Sequence, residues 1–289
     1  MKGPDVAFTF ANINNRSALI RDQVFFDLAS ISAGEISDDP MEAIKHSAML
    51  HQYAEQLDAH KPTGNVSMAD LCAPIPHPRN SYGIGLNYQL HIEEAASKTP
   101  DVPMVFTKFP SCISAPTSDV IMRSDECDYE GELVIVIGKG GKDIPKDNAW
   151  SHVLGFCVGQ DFSDRGVQYK DQPAQFNLGK SFDTFGPIGP YLVSIDSFTD
   201  PGDLSITTTV NGEVRQQERT SNMIFDVPTL VSYISAITTL TTGDIIFSGT
   251  PEGVGFRNGY FLLDGDVVET TIEEIGTITN ACVRGSDFA

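Results

Sequence analysis

The run Asp128-Tyr129-Glu130-Gly131-Glu132-Leu133-Val134-Ile135-Val136-Ile137 decides how the rest of the chain is read. Its second half is unbroken apolar sequence of strand length, mostly β-branched, and Gly138-Lys139-Gly140-Gly141 closes it as a turn. A strand with no polar alternation belongs in a core with both faces covered. Its entrance is charged instead. Side chains alternate along a strand, so Glu130 and Glu132 share a face with Cα atoms about 6.5–7 Å apart, close enough for both carboxylates to reach one ion. Two acids at the mouth of a buried strand repel each other and resist desolvation unless a cation joins them. Oxygen-only donors select Mg²⁺, Mn²⁺ or Ca²⁺ over zinc. A solvated strand end is the alternative reading of the same spacing. Gly131 leaves the opposite face open to close backbone approach.

Further features lie on either side. Residues 152–159 form a second apolar strand that ends in Gly159-Gln160-Asp161, where Asp161 is either a third oxygen ligand or the N-cap of a short helix over 162–169. Upstream, Asn87-Tyr88-Gln89-Leu90-His91-Ile92-Glu93-Glu94 reads as the start of a helix, which makes His91 and Glu94 neighbours on one face. A carboxylate beside an imidazole fixes its orientation and raises its basicity, which suits a general base acting on water; an ordinary surface pair is the competing reading. Leu178-Gly179-Lys180-Ser181 resembles the end of a phosphate loop, but the first glycine that loop needs is replaced by Ala174. Lys180 still suits a point charge facing a developing enolate. In Ser248-Gly249-Thr250-Pro251-Glu252-Gly253-Val254-Gly255, backbone N–H groups such as that of Gly249, with the Thr250 hydroxyl, can cradle a carboxylate, or the segment is an ordinary tight loop. Gly83-Ile84-Gly85 lacks the third glycine of a dinucleotide site, and His46 and His51 read as structural.

The remaining punctuation divides the chain. Residues 1–75 read as a small N-terminal unit: strands at 6–10 and 23–28, a helix opened by Asp38-Asp39-Pro40, and an apolar face of Leu50, Tyr53, Ala54 and Leu57. Pro74-Ile75-Pro76-His77-Pro78 reads as a stiff linker into a second domain, 76–289. There strands are expected at 204–210, 244–248, 267–272 and 276–283, with a hairpin turn at Asn211-Gly212. Helices are expected at about 85–97 and 226–238, with shorter pieces near 162–171. Many short strands and few helices predict an α+β, β-rich fold with a closed or sandwich-like core and helices outside.

Charge narrows the partners. Against 19 Lys and Arg stand 39 Asp and Glu, a net charge of −20, which repels nucleic acid and anionic lipid alike. No apolar stretch of about 18 residues occurs, so no membrane span is expected. Met1-Lys2-Gly3-Pro4-Asp5 lacks the basic-then-apolar pattern of a secretory signal. The five cysteines are an odd number without a CxxC pair, which fits a reducing, cytoplasmic setting and excludes a cysteine-held zinc.

Five motifs in order, Asn87-Tyr88-x-x-His91-x-x-Glu94, Asp128-Tyr129-Glu130-Gly131-Glu132-Leu133, Gly159-Gln160-Asp161-Phe162-Ser163-Asp164-Arg165, Gly179-Lys180-Ser181-Phe182-Asp183 and Ser248–Gly255, resemble the fumarylacetoacetate hydrolase family over about residues 80–285. The resemblance implies a mixed β-sandwich roll, a homodimer, and Mg²⁺ or Mn²⁺ held by Glu130, Glu132 and Asp161. It implies that Lys180 contacts substrate, that Arg165 and Gln168 lie near it, that Thr250 binds its carboxylate, and that His91 and Glu94 form a dyad on a mobile lid helix. The implied ligand is a small keto acid. The implied reaction is hydrolysis of the C–C bond of a 2,4-diketo acid of acylpyruvate type to pyruvate and a carboxylic acid. Decarboxylation of an oxaloacetate-type acid, keto–enol isomerisation or hydration, and non-catalytic keto-acid binding are the alternatives. The segment from Ala95 to Pro110, with Lys98 and Lys108, is expected to help select the distal group of the substrate.

Overall fold

The computed structural model of the protein describes residues 6–95 and 97–286, so the N-terminal segment Met1–Asp5 lies outside the described residues. The chain opens with three antiparallel strands, β1 (Thr9–Ile13), β2 (Arg16–Arg21) and β3 (Val24–Asp27), and a helix α1 (Ser47–Glu55). The strand expected over 23–28 stops at Asp27 because that carboxylate accepts the backbone N–H of Ser30 at 2.8 Å and caps a helical turn. Leu50, Tyr53, Ala54 and Leu57 are all buried, as their spacing predicts.

Next come β4 (Ser81–Gly85), the short helix α2 (Gln89–Glu94), β5 (Met104–Thr107) and β6 (Val120–Met122). The decisive run forms β7 (Gly131–Ile137), and its antiparallel partner is β8 (Val153–Gln160). Two single-turn helices follow, α3 (Arg165–Gln168) and α4 (Phe176–Gly179). The chain then supplies β9 (Gly186–Ser194), β10 (Ser205–Val210), β11 (Glu213–Arg219), the long helix α5 (Val227–Ile237), β12 (Ile245–Phe247), the single turn α6 (Gly255–Asn258), β13 (Val267–Ile272) and β14 (Gly276–Arg284).

The larger sheet runs β3-β2-β1-β9-β8-β7-β12-β4-β5, with shorter strands attached to it, and places β7 near its middle. The apolar run is unbroken because both faces are covered. Leu133, Ile135 and Ile137 pack with Leu230, Val231 and Ile234 of α5, while Val134 and Val136 pack with Leu50 of α1, Phe10 of β1 and Phe247 of β12. The sheet also crosses the boundary expected near residue 75: Thr9 and Phe10 of β1 register with Val193 and Leu192 of β9.

The second sheet runs β11-β10-β13-β14-β6. At the β10–β11 hairpin Asn211 and Gly212 have φ of 52° and 79°, the two positive values that an Asn-Gly turn is suited to adopt. This sheet meets the larger one at Gly131. A Cβ there would sit 2.1 Å from the Thr208 hydroxyl, so glycine is required for the approach anticipated on that face. The result is the strand-rich, mixed architecture expected from the sequence. Among the described residues no helix is long and apolar enough to cross a membrane.

Candidate metal centre and active site

Glu130, Glu132 and Asp161 each offer a carboxylate oxygen within 4.8 Å of the others, and the residues are 7%, 1% and 0% exposed. Pairing of β7 with β8 makes this cluster. Gly131 registers with Gln160, and the Asp161 N–H donates to the Glu130 carbonyl at 2.8 Å, which brings the end of one strand to the mouth of the other. The helix N-cap in this segment is Asp164, whose side chain accepts from Val167 N, so Asp161 keeps its carboxylate for the cluster.

The surroundings fix each acid. Glu132 accepts the Gly249 N–H at 2.6 Å. Gln160 accepts the Glu130 N–H at 2.9 Å and donates to Thr270 at 2.6 Å. Lys180 Nζ donates to Glu130 and Asp161 at 2.7 and 2.8 Å and to the Ser163 hydroxyl at 2.8 Å. A second buried ammonium, Lys108, donates to Asp161 at 2.6 Å, to the Phe185 carbonyl at 3.1 Å and to the Lys180 carbonyl. Lys108 is expected among the distal-group selectors. It stands instead behind the acid cluster, because its neighbours come from segments more than fifty positions away and leave no local signature. Lys98 is exposed, 3.9 Å from Asp101.

Burial pushes the Glu130 carboxyl up, but the cations of Lys180 and Arg165 outweigh it and hold it at about 2. Burial raises Glu132 well above the ordinary carboxylate range, and the negative charges of Asp161 and Glu130 raise it further. Lys180 is lowered by burial and raised more by Asp161 and Glu130, ending above its usual value. Three converging carboxylates, one of them pushed upward by burial and by the charges of its neighbours, form the donor set that a hard divalent cation satisfies.

Arg165 donates Nε and Nη2 to Asp128 at 2.9 and 2.6 Å, Nη2 to Glu130 at 2.6 Å, and Nη1 to Gln168 at 2.9 Å. The expected substrate contact is therefore a structural clamp as well. Asp128, not singled out as a functional residue, also accepts the N–H groups of Gly255 and Phe256 at 2.8 and 3.1 Å. The Thr250 hydroxyl donates to the Gly131 carbonyl at 2.9 Å and accepts from Gln216 at 2.8 Å. Thr250 and Gly249 thus hold the 248–250 loop against β7.

These groups meet at a cavity of about 150 Å³ lined by Glu130, Lys180, Arg165, Gln168, Thr250 and His91, with Met104, Phe106, Phe176 and Phe256 as apolar wall. From the 95–110 segment it is Ala95, Ser97, Met104 and Phe106 that reach it. His91 Nδ1 lies 3.2 Å from Glu94, which leaves Nε2 for the cavity. Glu94 in turn accepts the Gly253 N–H at 3.1 Å and the Asn258 side-chain N–H at 3.1 Å, so α2 is docked on the 253–258 loop. The helix is shorter than the sequence suggested, but the pairing of His91 with Glu94 is the expected one.

The profile described as fumarylacetoacetate (FAA) hydrolase C-terminal matches residues 80–283. The chain belongs to the fumarylacetoacetate hydrolase family. The family match covers every residue of the acid cluster, the two lysines and the docked helix. Within the family, the chain is 45% identical over 221 residues to "Oxaloacetate tautomerase FAHD2A, mitochondrial" of Bos taurus, covering 75% of this chain and 70% of that one. It is 41% identical over 271 residues to "Oxaloacetate tautomerase YisK" of Bacillus subtilis (strain 168), covering 88% of each. A maleylpyruvate hydrolase from Sphingobium sp. SYK-6, solved with manganese(II) and pyruvate, superposes with a TM-score of 0.80 at 26% identity, over 96% of this chain and all of that one. Members of the fumarylacetoacetate hydrolase family are enzymes, and these relatives include both tautomerases and a hydrolase.

Proposed function

We propose that this protein catalyses keto–enol interconversion of a small 2-keto acid of the oxaloacetate class, with Mg²⁺ or Mn²⁺ held by Glu130, Glu132 and Asp161. The observation that carries this reading is a cavity lined by both Glu130 of the buried acid cluster and the His91 imidazole. A bound divalent cation would supply Lewis-acid polarisation of the keto oxygen. The protein's own side chains supply the rest. His91, oriented by Glu94, takes a proton from C3 as the electron pair moves onto the 2-oxo oxygen, which takes up a solvent proton to become the enol; reversion gives up that O–H proton while the imidazole, whose proton exchanges with solvent, reprotonates C3. The Lys180 ammonium, fixed beside the acids, stabilises the enolate through its charge. Met104, Phe106 and Phe176 keep water from the reacting carbon. A small ligand suits the volume, since cavities of roughly 150 Å³ take up molecules the size of benzene. Relatives named oxaloacetate tautomerase support the same substrate class.

Hydrolysis of an acylpyruvate-type 2,4-diketo acid is the second reading, and the intact pairing of His91 with Glu94 favours it. Here the imidazole takes a proton from water, the hydroxide attacks the C4 carbonyl, and the C3–C4 bond breaks. The products are a carboxylic acid and pyruvate enolate, which is then protonated at C3. The relative named maleylpyruvate hydrolase supports this chemistry. The two are separated by one panel with Mn²⁺ or with chelator. Decay of the enol absorbance of oxaloacetate without pyruvate or CO₂ release is expected for the first reading. Metal-dependent pyruvate release from an acylpyruvate, without acceleration of oxaloacetate tautomerisation, would replace it with the second. A homodimer is proposed as the assembly and is tested by sedimentation velocity.

A further inference from the structure

The cavity carries four basic side chains, and their engagement differs. Lys180 is bound to Glu130 and Asp161, Arg165 to Asp128 and the same Glu130, and His91 to Glu94. Arg257, the third residue of α6, also lines the cavity, and it is exposed. Among the described residues no carboxylate lies within ion-pair distance of it, in a chain with twice as many acidic as basic residues. Its guanidinium stands 5.0 Å from the centroid of the Phe256 ring. That ring is itself fixed: Tyr169 stacks on it at 5.1 Å with 13° between planes, and the Arg165 guanidinium lies 5.9 Å from its centroid. The Phe256 N–H is held by Asp128. Arg257 is therefore a cation positioned at the cavity by a ring that is anchored to the acid cluster.

We infer that Arg257 receives the second carboxylate of the substrate, so that the site selects 2-keto diacids over 2-keto monoacids. The inference rests on the keto-acid reading above and adds the chemistry of the distal group. A substrate with one carboxylate and its keto oxygen at the acid cluster presents its far end toward the cavity mouth. A planar guanidinium with its N–H fork unengaged matches a carboxylate in two parallel hydrogen bonds. The local positive charge also offsets the repulsion that a net charge of −20 exerts on a dianion. Arg257 is on the surface and makes no ion pair among the described residues, so its loss leaves the fold intact.

The test is calorimetric binding to the Mn²⁺-loaded full chain of two stable four-carbon analogues, L-malate and (S)-2-hydroxybutanoate, which differ in having a carboxylate or a methyl group at C4. Wild-type protein is expected to bind L-malate more tightly. Arg257→Ala is expected to weaken L-malate about tenfold or more while leaving (S)-2-hydroxybutanoate unchanged. Arg257→Lys, which keeps the charge without the fork, should fall between. Equal affinities in the wild type, or a parallel loss of both ligands in Arg257→Ala, would overturn the inference alone. Failure of the wild type to bind either acid would overturn the keto-acid reading and the inference with it.

Discussion

Arg165 and Asp128 are joined by two hydrogen bonds at 2.6 and 2.9 Å, and through them the acid cluster is tied to the loop on which α2 docks. Arg165 continues to Glu130, while Asp128 continues to the N–H groups of Gly255 and Phe256. One buried pair thus connects a carboxylate of the acid cluster with the wall of the cavity and with the loop that receives Glu94.

Asp128→Asn removes the charge opposite a buried guanidinium and leaves it only one anionic partner. Breaking a buried pair from one side costs about 3–5 kcal/mol. The expected result is an unfolding free energy, extrapolated from urea denaturation, lowered by that amount. The variant should also lose order in residues 253–258, read as faster hydrogen exchange at Gly255 and Phe256. A stability within about 0.5 kcal/mol of wild type would show that the pair does not organise this region.

Mn²⁺ is expected to stabilise the folded chain, because it joins carboxylates that otherwise repel. At roughly 100 times its Kd a ligand adds about 2.7 kcal/mol, which at about 2–4 °C per kcal/mol raises Tm by about 5–10 °C. Glu132→Gln, which keeps the shape and removes one donor charge, should weaken Mn²⁺ at least tenfold by calorimetry while the circular dichroism stays unchanged. Equal Mn²⁺ affinity in the variant would remove Glu132 from the ligand set.

Glu94 gives a pH dependence to the docking of α2 on the 253–258 loop. Burial raises its pKa, but the hydrogen bonds from His91, the Gly253 N–H and Asn258 together bring it below the ordinary 4.5. The sign follows: the charged form is favoured in the docked state, so its contribution is complete above about pH 4.5 and is lost as pH falls through the lower folded value. Protection factors for α2 amides should be constant from pH 7 to 5 and fall below pH 4.5, and Glu94→Gln should flatten that profile. An unchanged profile in the variant would separate docking from the Glu94 charge.

Gly131→Ala places a methyl 2.1 Å from the Thr208 hydroxyl and 3.1 Å from Thr270, both in the second sheet. Overpacking of this kind costs about 1–3 kcal/mol. Chemical denaturation should show that loss, and Mn²⁺ affinity should drop with it because Glu130 and Glu132 flank the glycine. A wild-type midpoint would mean that the sheets have slack at this point.

The sequence was most legible where the signal is local. The apolar run of β7, the Asn211-Gly212 turn and helix α5, capped by Asp226, all follow from neighbouring residues alone. The two glutamates are readable from strand alternation; Asp161 is ambiguous from local pattern alone and joins them through the ordered motifs, and strand pairing then puts it beside Glu130 and gives the capping role to Asp164. Lys108 and Asp128 were not legible as buried supports of the acid cluster. Their partners lie 53 and 37 positions away, or farther, and only the folded chain brings them together. A linker at residues 74–78 was read from its prolines, yet proline content does not report that β1 pairs with β9 across it.

The central claim is that His91 and the acid cluster act on C3 of one keto acid. The most direct measurement is deuterium incorporation at C3 of a 2-keto acid in D₂O, followed by proton NMR, with Mn²⁺-loaded wild type, chelated wild type and His91→Ala. The account predicts rapid exchange that chelation abolishes and that His91→Ala slows by about 10²–10⁴-fold, with Mn²⁺ affinity unchanged in the variant. Exchange that proceeds equally fast in His91→Ala, or that survives removal of the metal, would contradict it.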